Sequence, residues 1–177
     1  YENADYPNAL TAIVDGLGNT IAAWTYDENG WATSSTHAGG ADDTQVAYNG
    51  DGSVTVTNPL GKKTTYYFEV YHGVPKVVSV EGHATANCEG TNRAYEYDAN
   101  GFVLSKTDWR GNVTTYLRDD QGRELSRTEA VGTPQERTIT TEWHPEFNEP
   151  VRITETGQVT KFTYDAEGRL LSRTISK

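Results

Sequence analysis

The chain has 177 residues, 35% of them hydrophobic, with no Met and a formal net charge of -10. A pI near 4.8 sets aside nucleic acid and anionic membrane surfaces as partners, because both are approached through clustered Lys and Arg. A mean hydropathy of -0.69 is lean for a compact sandwich, and the sequence holds neither a membrane-length apolar run nor a charged-then-apolar leader.

In chain order, the first turn signal is Asp15-Gly16-Leu17-Gly18, and the next is Tyr26-Asp27-Glu28-Asn29-Gly30, led by Trp24. This second figure returns as Val46/Tyr48/Gly52, Tyr95/Tyr97/Gly101, Tyr116/Arg118/Gly122 and Phe162/Tyr164/Gly168. Each copy has a bulky residue, a skipped position, a tyrosine position, then Asp or Asn, with Gly four residues after the tyrosine position. The spacing is 22 from Tyr26 to Tyr48, 20 from Tyr48 to a degenerate copy at Phe68, and 21 from Tyr97 to Arg118. A fixed self-similar period marks one short unit stacked along an axis.

Between these copies lie turns of the same chemistry, Asn58-Pro59-Leu60-Gly61 and Asp108-Trp109-Arg110-Gly111, so turns recur about every ten residues. Asp or Asn suits the first turn position because its side chain accepts a hydrogen bond from the backbone two residues on, and Gly tolerates the positive φ that lets the strand restart. The intervening runs, such as Gln158-Val159-Thr160-Lys161-Phe162-Thr163-Tyr164, alternate apolar and polar residues as half-buried strands do. Seven-residue strands span about 23 Å, and their right-handed twist accumulates over many hairpins. The expected fold is all-β: an antiparallel β-hairpin meander forming a curved, open or spiralling sheet strip, with no significant helix. Residues 1–177 read as a single array, with clear repeats at about 22–79 and 93–177 and an irregular connection at about 80–92. Arg118 in the tyrosine position, and the short turn at Glu155-Thr156-Gly157, are local departures.

Three constellations invite chemistry. Asn49-Gly50-Asp51-Gly52 and Asp119-Asp120-Gln121-Gly122 place carboxylates near glycines, but a calcium loop needs several oxygen ligands converging on one ion, and the turn alone explains these residues. His83 and Cys88 lack the further ligands of a zinc site, because His37, His72 and His144 have no matching spacing. They also lack the third group of an activated nucleophile. Cys88 reads as an isolated thiol in a wide connection. No catalytic set, metal site or cofactor is expected. Trp31 and Trp109 stand outside the tyrosine positions and are the candidate sugar-contact residues, because an exposed indole stacks on sugar rings. The other aromatics are expected to pack across hairpins, with each tyrosine hydroxyl meeting a backbone partner.

The strings Tyr26-Asp27-Glu28-Asn29-Gly30, Tyr97-Asp98-Ala99-Asn100-Gly101 and Tyr164-Asp165-Ala166-Glu167-Gly168 resemble the YD repeats of the bacterial Rhs family. The second continues as Phe102-Val103-Leu104-Ser105-Lys106-Thr107-Asp108, and the third as Arg169-Leu170-Leu171-Ser172-Arg173-Thr174. That family includes polymorphic toxins and the C components of insecticidal toxin complexes, and animal teneurins share the repeat. The resemblance runs from about Ala22 to Lys177. It implies a non-enzymatic segment of a β-shell that encloses a C-terminal toxin or effector of the same polypeptide and helps deliver it, secreted or at the bacterial cell surface. The family's self-cleaving boundary has the form Asp-Pro-x-Gly-Leu. The nearest string here, Asn58-Pro59-Leu60-Gly61-Lys62, reads as an ordinary turn.

Lacking Met and opening at Tyr1 partway through a repeat-like run, the chain reads as a fragment of a longer polypeptide without terminal caps. Its expected partners are flanking repeats and the enclosed effector, together with edge-to-edge self-association through unprotected end strands. The alternative function is a surface adhesion module whose repeats bind carbohydrate or a partner protein.

Overall fold

A computed structural model describes residue 4, residues 6–87 and residues 89–177; the opening residue Tyr1 and the lone cysteine Cys88 lie outside the described residues. The strands are β1 (Ala12–Val14), β2 (Thr20–Tyr26), β3 (Ala32–His37), β4 (Thr44–Tyr48), β5 (Val54–Thr57), β6 (Lys63–Tyr71), β7 (Val74–Gly82) and β8 (Thr91–Tyr97). They continue as β9 (Val103–Thr107), β10 (Val113–Arg118), β11 (Glu124–Glu129), β12 (Arg137–Trp143), β13 (Pro150–Glu155), β14 (Gln158–Tyr164) and β15 (Leu170–Ser176). They hydrogen-bond in chain order, β1 to β15, as an open antiparallel meander. The sole helical segment among the described residues is the three-residue 3-10 turn Ala38–Gly40. Two compact units divide the chain: Tyr1–Glu69 with Pro75–Asn92, and Val70–Val74 with Arg93–Lys177.

Seven of the turns share one chemistry. In the Asp98 turn the Gly101 amide donates to the Asp98 carbonyl at 2.9 Å, and the Asp98 amide donates to the Phe102 carbonyl at 2.9 Å. Asp98 Oδ1 accepts the amides of Asn100 and Phe102, each at 2.9 Å. Asp15, Asp27, Asn58, Asp108, Asp119 and Asp165 repeat this pattern on the residues two and four places on. One side-chain oxygen thus satisfies two backbone donors that the strand ladder leaves over.

In a meander, successive turns alternate between two margins. Four hairpins whose strand ends in the tyrosine position carry an irregularity in register; the Tyr48 hairpin does not, and on the other margin the Asp15 turn also has one. Tyr26 pairs with Ala32 and Thr25 with Ser34, so Thr33 is skipped. Leu104 is skipped between Tyr97/Val103 and Glu96/Ser105, Leu125 between Arg118/Glu124 and Leu117/Ser126, and Leu171 between Tyr164/Leu170 and Thr163/Ser172. The Asn58 and Asp108 turns close without a shift. A β-bulge increases local twist and re-aims side chains.

The bulge keeps both arms in phase with the pleat. Trp24/Tyr26, Tyr95/Tyr97, Tyr116/Arg118 and Phe162/Tyr164 lie two residues apart and share a face. All are partly covered, whereas Thr25, Glu96, Leu117 and Thr163 between them are exposed. The opposite face is stitched by paired hydroxyls, Thr25 to Ser34 at 2.6 Å, Thr128 to Thr138 at 2.9 Å and Thr163 to Ser172 at 2.7 Å.

There is little core. Among the described hydrophobic residues only Ala22 and Ile139 are buried, and the chain exposes 12014 Å², against about 8,500 Å² for a compact protein of this mass. Neighbour contacts between hairpins therefore carry the stability. The degenerate copy expected at Phe68 is corrected: Phe68 lies within β6, and the turn follows Tyr71. His72 (φ 51°) and Gly73 (φ 80°) both adopt left-handed backbone there, as a two-residue type I′ hairpin requires, so the Asp-x-x-Gly signal is missing.

Candidate functional site

The tyrosine margin is where successive hairpins are joined. Tyr48 donates its hydroxyl to the Ala32 carbonyl at 3.1 Å, Tyr26 to Leu10 at 2.9 Å and Tyr164 to Pro150 at 2.8 Å. Trp143 makes the same reach with its indole Nε1, to the Glu124 carbonyl at 2.9 Å. Each acceptor lies just past the preceding turn of that margin. Arg118, standing where Tyr is expected, instead donates to Gly122 within its own turn at 3.0 Å, and its guanidinium lies 5.3 Å from the Tyr116 ring centroid.

A second contact runs the other way, from the residue four after the turn Asp onto the following hairpin. Trp31 packs on Tyr48 with ring centroids 4.8 Å apart, and the Arg123 guanidinium sits 5.6 Å from the Trp143 ring centroid. Phe102 covers Gly122 so closely that a Cβ there would lie 2.6 Å from the ring. Phe147 covers Gly168 and Tyr6 covers Gly30 in the same way. Tyr6 also donates its hydroxyl to the Glu28 carbonyl, and His72 Nε2 lies 2.6 Å from the Ala99 carbonyl. A carbonyl only accepts, so Nε2 of His72 carries the hydrogen.

The other margin lacks these lids. A Cβ on Gly18, Gly61, Gly111 or Gly157 would meet nothing within 4 Å, and the turn tips Leu17 and Leu60 are almost fully exposed. Trp109 lies on this margin, about half exposed, with the Arg110 guanidinium 4.4 Å from its ring centroid. In the second unit an open polar groove is lined by Lys106, Asp108, Asn112, Thr114, Glu129 and Thr133. Its charged groups are occupied: Glu129 bridges Arg127 at 2.8 Å and Arg137 at 2.6 Å.

Of the two indoles singled out in the sequence, Trp31 belongs to the hairpin-joining contacts of the first unit, and Trp109 of the second unit packs with its neighbour Arg110. Each histidine serves a local contact. His83 Nε2 lies 2.8 Å from the Thr65 hydroxyl, and His37 Nδ1 lies 3.1 Å from Asp42. His144 Nδ1 accepts the amides of Glu146 and Phe147, each at 3.2 Å, and so substitutes for a turn Asp. Trp143-His144 is thus a further copy of the repeat. The sequence carried its signal as an aromatic before a turn-capping acceptor, hidden because neither residue is Tyr or Asp.

The turn carboxylates are tuned by the turns themselves. Asp15 and Asp108 are held below the usual carboxylate range, first by the side-chain amides of Asn19 and Asn112 and then by backbone amides. Asp165 is lowered first by the Arg169 amide and then by the Arg169 guanidinium. In Asp51 the Ser53 hydroxyl leads. These groups are spent as acceptors within their own loops.

The geometry defines an open β-repeat protein whose distinctive surface is a margin of interlocking turns. The chain matches the family model described as RHS Repeat over residues 97–134. Over 92 residues, 52% of this chain, it is 33% identical to "Double-stranded DNA deaminase toxin A" of Burkholderia cenocepacia (strain H111). Those residues span 6% of that relative. In the crystal structure of TcdB2-TccC3 without its hypervariable C-terminal region, 9% of the chain superposes on 89% of this one. The TM-score is 0.70 at 14% identity, which shows the shared fold.

Proposed function

We propose that this chain is a wall segment of an Rhs-type β-shell, which encloses a C-terminal effector of the same polypeptide and helps deliver it from a bacterial cell. The segment performs no chemistry of its own. The observation that carries this reading is the joining margin. Side chains of the kind that catalyse or ligate are used instead for structure: Asp closes its own turn, and Tyr26, Tyr48, Tyr164, His72 and Arg123 reach to neighbouring hairpins. A sheet built this way extends by addition and needs little core, as a container wall requires. The small share of each relative that this chain spans fits one stretch of such a wall.

Limited proteolysis of the full-length polypeptide tests the reading. An effector enclosed by the wall survives protease, and Trp143→Asp with Tyr164→Asp, which break two joints, expose it to digestion. Digestion of the effector at the same rate behind an intact wall would refute enclosure.

A second reading rests on Trp109, whose half-exposed ring lies at a turn of the other margin. There the chain is an adhesion module with an indole available to a sugar ring. Glycan binding lost in Trp109→Ala would favour it.

A further inference from the structure

The connection from β11 to β12, residues 130–136, is longer than the Asp turns and folds back on the sheet. Val131 donates its amide to the Val113 carbonyl at the start of β10, at 3.0 Å. The Thr133 hydroxyl donates to the Ala130 carbonyl at 2.7 Å, and the Gly132 amide to Glu136 Oε2 at 2.6 Å. Ala130 is held at φ 53°. A residue with a Cβ is strained in that left-handed region, and strain of this kind collects at ligand clamps. Between this loop and the Asp108 turn lies the open polar groove, with a volume of about 500 Å³. Small-molecule sites span roughly 300–1,000 Å³.

The charged groups of the groove are engaged by the protein itself. Asp108 takes two backbone amides and the Asn112 side chain, Glu129 takes Arg127 and Arg137, and Lys106 is hydrogen-bonded to Tyr116. The neutral groups are open. Asn112 gives one N–H to Asp108 and keeps its other N–H and its carbonyl oxygen. The Thr114 hydroxyl and the Gln135 side-chain amide make no hydrogen bond among the described residues. Neutralised charges beside open amides and a hydroxyl suit a ligand that is uncharged and carries several hydroxyls of its own. Trp109 stands in the turn between Asp108 and Asn112, half exposed, and supplies the flat apolar surface on which the C–H face of a sugar packs.

We infer, building on the adhesion reading, that the groove beside Trp109 is its binding site and that the ligand is a neutral oligosaccharide. Asn112, Thr114 and Gln135 hydrogen-bond the hydroxyls of one sugar unit, and Trp109 stacks on the next. An anionic saccharide is disfavoured, because Asp108 and Glu129 line the same groove and the chain carries a net charge of -10.

The test titrates the whole chain with maltotriose, cellotriose and triacetylchitotriose, with sialyllactose as the anionic control. Side-chain and backbone amide resonances and Trp fluorescence report binding. At least one neutral probe should shift the side-chain amides of Asn112 and Gln135 and the indole of Trp109 at concentrations up to about 10 mM, which reveals binding as weak as millimolar. Gln135→Ala and Thr114→Val leave the Asp108 turn and the strand ladder intact, and each weakens that binding about two- to tenfold, the loss of one hydrogen bond. Trp109→Ala weakens it about tenfold or more. Binding that Trp109→Ala removes and both groove variants leave unchanged overturns the groove and spares the adhesion reading. No response to any neutral probe overturns both. Tighter binding of sialyllactose than of the neutral probes overturns the ligand class.

Discussion

At the scale of the residue, the turn aspartate is an acceptor whose work depends on its charge only in part. Asp15 and Asp108 each take two backbone amides on Oδ1 and a side-chain amide on Oδ2, and Asn58 takes the same two backbone positions with a neutral oxygen. Their folded acidities lie below the unfolded value, so the stability they contribute is complete above that value and is lost as pH falls through the folded one. With an unfolded pKa of about 3.9, the loss begins near there and continues below. The double variant Asp15→Asn with Asp108→Asn should therefore start from a lower Tm at pH 7, having lost the contribution of the charges, and lose less of it on acidification than the parent. Thermal melts between neutral pH and strong acid check this, and an identical acid loss in both proteins would contradict it. These aspartates were legible in the sequence, because an Asx turn needs no long-range information. The partners of Trp31 and Trp109 were not, because an indole that packs on the next hairpin and one that packs on its neighbour Arg110 occupy equally irregular places in the repeat.

At the scale of the element, the hairpin has two unlike ends. Gly111 and Gly122 have the same backbone, φ 81° and 80°, but Gly111 faces open space and Gly122 lies under Phe102. Alanine at either position meets the left-handed penalty, about 1–2 kcal/mol. At Gly122 it also drives a methyl into an aromatic ring, and overpacking of that kind adds about 1–3 kcal/mol. Gly122→Ala should thus destabilise clearly more than Gly111→Ala in denaturant unfolding. Equal losses would mean that the lid carries no energy. The strands themselves were readable from period-two alternation and turn spacing. The bulges were not, because a skipped residue is defined only by the partner strand: Leu104, Leu125 and Leu171 recur at one place in the repeat, but nothing in a leucine, or in Thr33 at the same place, marks it as unpaired. The hairpins at Tyr71 and Trp143 were missed for a related reason. His72-Gly73 forms a shorter turn and His144 imitates Asp, and each solves the turn with residues that a tyrosine-aspartate pattern does not contain.

At the scale of the whole molecule, fifteen strands in chain order with two buried hydrophobic residues among the described residues amount to a structure stabilised by contacts between neighbouring hairpins. The repeat period made the all-β class and the open meander legible, since stacking of one unit is the usual outcome of such a period. The role of the sheet depends on what lies beyond one face, which no residue in this chain encodes. Electron cryo-microscopy of the full-length polypeptide addresses that most directly. Enclosure predicts this strip as part of a closed wall around a lumen, with density for a further domain inside. A free-standing stalk, with both faces of the strip in solvent and no lumen, would contradict it.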